Sequence, residues 1–124
     1  MKILALALFA CGCVLLDAAD ADSAFLDGAY GSKEGCIYAR TGDSSGADDF
    51  ALLTAKEITG STFACTIKKA VPAANRSFKV TATCEAEGED QGEDQTITVA
   101  PAAKGGYSIS FDDGTHLGPL PKCR

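Results

Sequence analysis

Apolar and polar residues alternate strictly in four stretches of the chain. Phe63, Cys65 and Ile67 are interleaved with Thr62, Ala64 and Thr66, and Phe78, Val80, Ala82 and Cys84 with Lys79, Thr81 and Thr83. Ile97 and Val99 alternate with Thr96 and Thr98, and Tyr107, Ile109 and Phe111 with Ser108 and Ser110. A period of two in β-branched and aromatic residues predicts strands with one buried and one solvated face, and hence an antiparallel sheet. Two earlier strands are expected. The first runs from Ala29-Tyr30 through Ile37-Tyr38 and is interrupted at Gly31 and Gly35; the second covers Phe50 to Thr54. Asp48-Asp49 ahead of Phe50 also resembles a capped helix start, but Ile58, Thr59 and Gly60 follow closely and leave room only for a short helix. The fold class is therefore all-β: a meander of about six strands joined by Lys68–Arg76, Glu85–Asp94 and Ala100–Gly106. A sheet this small is expected to hide its edges by closing into a barrel or a sandwich.

Residues ahead of this pattern belong to a different regime. Met1-Lys2 is followed by a nearly unbroken apolar run from Ile3 to Leu16 and then by Ala19-Asp20-Ala21. A basic start, a short apolar core and small residues at the cleavage positions describe a secretory leader. Residues 1–21 are read as a signal peptide and 22–124 as a single β domain. The apolar run is shorter than the roughly 20 residues a spanning helix needs. A competing reading makes Cys11 (after Ala10) or Cys13 (after Gly12) a lipid anchor, although Val14-Leu15-Leu16 would then follow the anchor directly. Export, to a periplasm or to the medium, is the expectation.

The four remaining cysteines, Cys36, Cys65, Cys84 and Cys123, suit an oxidising compartment. A hairpin centred between Ala74 and Asn75 pairs residues whose numbers sum to 149. That register sets Cys65 opposite Cys84, Ile67 opposite Ala82 and Phe63 opposite Ala86, with every apolar position on one face. Facing positions have the close approach a disulfide requires. Among three possible connectivities, Cys65–Cys84 is favoured, with Cys36–Cys123 by elimination. In the chain-entropy description the shorter loop is worth about 3 kcal/mol and the longer about 4.5 kcal/mol.

Charge narrows the partners. The chain carries 11 basic and 17 acidic residues, a net −6. Loss of Lys2, Asp17 and Asp20 with the leader would leave 10 and 15, a net −5. Such a surface repels phosphate backbones, so nucleic acid is not expected as a partner, whereas a basic protein is favoured. The acidic stretch from Glu85 to Gln95 supplies a possible interaction loop made of Glu87, Glu89, Asp90, Glu93 and Asp94. Lys68, Lys69, Arg76 and Lys79 gather around the other hairpin tip, which would polarise the molecule. Asn75-Arg76-Ser77 at that tip also matches an N-glycosylation sequon, of consequence only in a eukaryotic source.

Catalytic and metal signatures are weak. No Cys-x-x-Cys pair follows the leader. The acidic stretch lacks the spacing of an EF-hand calcium loop and reads as a solvated hairpin loop. His116, the only histidine, follows the turn Asp112-Asp113-Gly114 and is read as a solvent-facing loop residue. No G-x-S-x-G elbow accompanies it. No cofactor and no metal are expected, and no catalytic residue is assigned.

Gly28-Ala29-Tyr30, Cys36, the run Leu53-Thr54…Ile58-Thr59-Gly60…Cys65, Ala82-Thr83-Cys84…Glu87-Gly88 and Leu120-Pro121-Lys122-Cys123 resemble the small exported, disulfide-stapled proteins of alphaproteobacteria. That resemblance covers most of the domain and transfers no activity. A more distant likeness is to periplasmic C-type lysozyme inhibitors, which are small stapled β-barrels ending in Cys. Those inhibitors present a Ser-Gly-x-x-Tyr loop to the enzyme cleft, whereas here Ser45-Gly46 is followed by Ala47-Asp48-Asp49 without the tyrosine. The expectation is a non-enzymatic, monomeric binding or interaction module. Its alternatives are a lysozyme-inhibitor-like protein, a small hydrolase using His116, and a ligand carrier with an apolar cavity.

Overall fold

The computed structural model describes residues 25–43, 48–89 and 91–124. The expected leader with Cys11 and Cys13, the Ser45-Gly46 segment and Asp90 lie outside the described residues. Eight strands follow one another in a single antiparallel sheet whose spatial order is the chain order. They are β1 (Tyr30–Gly31), β2 (Ala51–Leu53), β3 (Glu57–Gly60), β4 (Phe63–Pro72), β5 (Phe78–Ala86), β6 (Glu93–Pro101), β7 (Tyr107–Phe111) and β8 (His116–Leu120). The sheet curls into a nearly closed barrel. Its seam between β1 and β8 consists of one bridge, Tyr30 to Lys122, flanked by Gly31 N–H donating to Pro121 O at 2.9 Å and Cys123 N–H donating to Ala29 O at 2.8 Å. Barrel rather than sandwich is thus the outcome, and closure removes the open edges.

Both expected disulfides are present, Cys65–Cys84 and Cys36–Cys123. The 149 register holds from Phe63↔Ala86 through Ile67↔Ala82. A bulge at Lys68 then shifts the pairing to Lys69↔Thr81 and Pro72↔Phe78, whose numbers sum to 150. The tip is consequently centred on Asn75, not between Ala74 and Asn75. Asn75 and Arg76 adopt left-handed backbone angles there, with φ of 60° and 63°. Past the bulge the core face passes from odd to even residues, which brings Ala70 inward and leaves Val71 41% exposed.

The interrupted first strand is a correction. Only Tyr30–Gly31 is extended; Lys33–Thr41 forms a helix, α1. Ser32 caps it by accepting from Gly35 N–H at 3.1 Å, and Gly42 ends it at φ 80°, its N–H donating to Tyr38 O at 2.8 Å. Ser32 also docks the helix on β2, since its Oγ accepts from Ala51 N–H at 3.0 Å and its own N–H donates to Ala51 O at 3.0 Å. Gly31 and Gly35 are therefore close-approach positions and not strand breaks. A Cβ on Gly31 would lie 2.6 Å from Ala51 O, and one on Gly35 would lie 2.8 Å from the Ala51 carbonyl carbon. Two strands were not foreseen. Glu57–Gly60 pairs between β2 and β4, and His116–Leu120 becomes β8 where a loop was expected.

Ile58, Val80, Ile97, Val99, Ile109 and Leu53 fill the barrel with no exposed surface, joined by Cys65 and Cys84. Leu52, one residue out of phase with Leu53, is also buried but belongs to the outer side, where α1 lies against β1 and β2. Tyr38 of α1 meets Phe50 edge-to-face there at 5.4 Å. At the seam, Tyr30 stacks edge-to-face on Tyr107 at 4.9 Å. Its hydroxyl donates to Asp27, whose other oxygen takes Lys122 Nζ at 3.0 Å.

Candidate functional site: an acidic mouth

An antiparallel meander sends alternate turns to opposite ends of the barrel. The β3–β4, β5–β6 and β7–β8 turns share one end, and there the interior is not filled to the rim. A cavity of about 440 Å³ opens between them. Its floor is apolar. Strand alternation points Phe63 and Cys65 of β4, Cys84 and Ala86 of β5 and Phe111 of β7 toward the barrel axis, and all five line the cavity. The Phe63 and Phe111 rings meet edge-to-face at 5.6 Å beside the Cys65–Cys84 bridge. Gly60 makes room for this arrangement, since a Cβ there would come within 2.8 Å of Phe63 Cδ1.

The rim is acidic and comes from separate segments. Glu85 stands at the end of β5, Glu89 in the turn, Glu93 at the start of β6 and Asp113 in the β7–β8 turn; Thr62, Gln95 and Thr115 add neutral polar groups. Glu93 faces Cys84 across the ladder and shares the inward parity of Gln95, Ile97 and Val99. Hydrogen bonds from Thr115, first its side chain and then its backbone N–H at 2.8 Å to Oδ1, hold Asp113 below the usual carboxylate range. The turns are tied to one another, since Glu87 N–H donates to Thr62 O at 2.8 Å. Asp112 Oδ2 accepts from Thr96 N–H at 3.3 Å.

Of the five residues of the expected interaction loop, Glu89 and Glu93 reach this mouth. Glu87 is exposed in the turn without lining the cavity, and Asp90 lies outside the described residues. Asp94 points to the outer face, where it accepts the Thr83 hydroxyl at 2.7 Å and pairs with Lys68 at 3.2 Å. Those two contacts, Thr83 first, hold it below its ordinary range. The sheet runs further into this stretch than expected, leaving 87–92 as the turn and placing Glu93 and Asp94 on β6. Glu85, Asp113, Phe63 and Phe111 were not foreseen as site residues. The signal that could have found them is parity: inward aromatic positions at strand ends mark where a barrel stops being filled.

The short turns at the two ends of the barrel, the longer β1–β2 connection aside, differ in charge. The turns at the other end, 54–56, 73–77 and 102–106, carry Lys56, Arg76 and Lys104 and no acidic residue. The turns around the mouth carry Glu87, Glu89, Asp112 and Asp113 among the described residues and no basic one. His116 begins β8 with its Nδ1 3.2 Å from Ser110 Oγ, on the exposed outer face of the sheet. Among the described residues no carboxylate bonds to it, and neither residue lines the mouth. No group of three or more His, Cys, Asp or Glu among the described residues is disposed to hold a metal ion. No described helix is long and apolar enough to cross a membrane. No family model, curated protein or solved structure matches the chain.

Proposed function

We propose that the protein is a non-enzymatic, exported binding module, periplasmic or secreted, whose acidic mouth receives a basic segment of a partner protein. The observation that supports this reading best is the apolar-floored cavity of about 440 Å³ rimmed by Glu85, Glu89, Glu93 and Asp113. Its volume falls in the range of about 300–1,000 Å³ typical of ligand sites. Carboxylates spread around a rim attract an extended cationic surface, whereas a metal ion needs oxygens converging on a point. Two structural disulfides suit an oxidising compartment. The likeness to periplasmic lysozyme inhibitors makes lysozyme the first partner to try, because it is itself a basic protein.

Calorimetric titration against folded basic and acidic proteins tests the reading. Basic partners are expected to bind with an affinity that falls steeply with salt and falls again in the variant E89Q/E93Q/D113N. Equal binding of acidic proteins, or of none, overturns it. If lysozyme activity is unchanged by a stoichiometric excess of the protein, the inhibitor version fails alone.

A further inference from the structure

The mouth has two layers of opposite chemistry, and together they define its occupant more narrowly than charge does. Below lie two phenyl rings, a disulfide and the Ala86 methyl; above stand carboxylates from β5, the β5–β6 turn, β6 and the β7–β8 turn. A lysine or arginine entering head first would carry its charge past the carboxylates and exchange them for the weaker cation–π attraction of Phe63 and Phe111. A purely apolar ligand would meet the floor but leave the rim's repulsion uncompensated. The arrangement that satisfies both layers is an apolar side chain on the floor with basic residues on either side of it in sequence, spread across the rim.

We propose that the mouth recognises a basic–apolar–basic segment of a partner protein, with the apolar side chain seated on Phe63, Phe111 and the Cys65–Cys84 bridge and the flanking cations on Glu85, Glu89, Glu93 and Asp113. This rests on the reading that a basic partner binds at the mouth, and it adds the anchor. Charge complementarity selects such a segment over an anionic lipid or nucleic acid, which the rim repels. The floor selects it over a uniformly charged one, because burying an aromatic side chain adds roughly tenfold or more in affinity.

Three acetylated, amidated peptides decide it when titrated into the oxidised protein and followed by amide chemical shifts and calorimetry: Lys-Arg-Phe-Lys-Arg, Lys-Arg-Ala-Lys-Arg and Glu-Glu-Phe-Glu-Glu. The first is expected to bind about tenfold or more tightly than the second, and the third not at all. Shifts should concentrate on Phe63, Ala86, Glu93, Phe111 and Thr115. Phe111→Ala should shrink the difference between the first two peptides, and E93Q/D113N should weaken both equally. If the first two bind alike, the apolar anchor is wrong while the basic-partner reading stands. If neither binds, and folded basic proteins also fail, both are wrong. Saturable binding with shifts confined to another surface also overturns the proposal.

Discussion

Replacing Gly35 by alanine gives opposite signs depending on whether the helix or its docking governs. Helix propensity alone favours the change by about 1 kcal/mol, because alanine loses less backbone entropy than glycine. The packing opposes it. The new methyl would stand 2.8 Å from the Ala51 carbonyl carbon, where ordinary contact begins at 3.4 Å, and that neighbour is sheet backbone with no rotamer to turn. The Ala51 carbonyl oxygen lies nearer still, so either α1 retreats from it or β2 bends. Retreat carries Ser32 with it and strains its two bonds to β2, from Ala51 N–H to Ser32 Oγ and from Ser32 N–H to Ala51 O, each 3.0 Å. Overpacking costs about 1–3 kcal/mol, and weakening the two bonds to Ala51 about 1–2 kcal/mol. Set against the gain in propensity, Gly35→Ala should destabilise by about 1–4 kcal/mol. Urea unfolding followed by far-ultraviolet circular dichroism measures this, with the slope checked to confirm a two-state transition. Gly42→Ala is the control: it is strained by its φ of 80° but meets nothing within 4 Å, so it should cost only about 1 kcal/mol. A Gly35→Ala protein as stable as the parent, or more so, would refute the docking argument.

Other outcomes can be read at the seam, the bridges and the mouth. Hydrogen bonding to Asp27, then burial, pushes Tyr30 up to about 12, so its protonated form is favoured in the folded state. That contribution is complete below pH 10, the ordinary tyrosine value, and is lost as pH rises to about 12. Phenolate absorbance should show a phase near pH 12 that Tyr30→Phe abolishes and Asp27→Asn moves down; no change with Asp27→Asn refutes the assignment. Cys65 and Cys84 are 1% and 7% exposed while Cys36 and Cys123 are only half-buried. Graded reduction followed by alkylation and mass mapping should therefore open Cys36–Cys123 first, and the reverse order would contradict the burial. Losing that 87-residue link should cost about 4.5 kcal/mol, against about 3 for the 19-residue one before any core cavity is counted. Gly60→Ala should displace the Phe63 ring at a cost of about 1–3 kcal/mol and weaken capture of basic peptides, as ring shifts and titration would show.

The elements legible in the sequence were those whose cause is local. Alternation at Phe63–Ile67 and Phe78–Cys84 requires only a wet face and a dry one, and it carried both the sheet and the Cys65–Cys84 pair into view. The helix was harder. Ser32, Glu34, Arg40 and Gly42 are the proper start and stop residues, yet Cys36-Ile37-Tyr38-Ala39 is a contiguous run that offers no 3.6-residue stripe. What fixes α1 is tertiary: two glycines against Ala51 and a bridge to Cys123. Gly118 and Pro119 disguised β8, because a turn-like pair can sit in a strand beside the seam. The bulge at Lys68 has no mark of its own in the sequence, because Lys68-Lys69 suits a hairpin turn as well as a strand whose pairing shifts by one residue. At the mouth, acidity could be read directly from Glu85 to Gln95. The cavity could not, since it depends on Phe63 and Phe111, 48 positions apart in the chain, ending side by side.

The alternation of turn charges has an electrical consequence for how a partner sees this molecule. Arg76 and Glu87 flank β5, whose nine residues span roughly 25–30 Å. The screening length at physiological salt is about 8 Å, so the two ends lie about three such lengths apart. A cation drifting toward the mouth therefore senses the rim carboxylates and almost nothing of Lys56, Arg76 or Lys104. The formal charge of −6 describes migration in a field, but not an encounter. At close range the short turns of the two ends act as separate charges of opposite sign, and a diffusing cation is turned toward the rim before any surface touches.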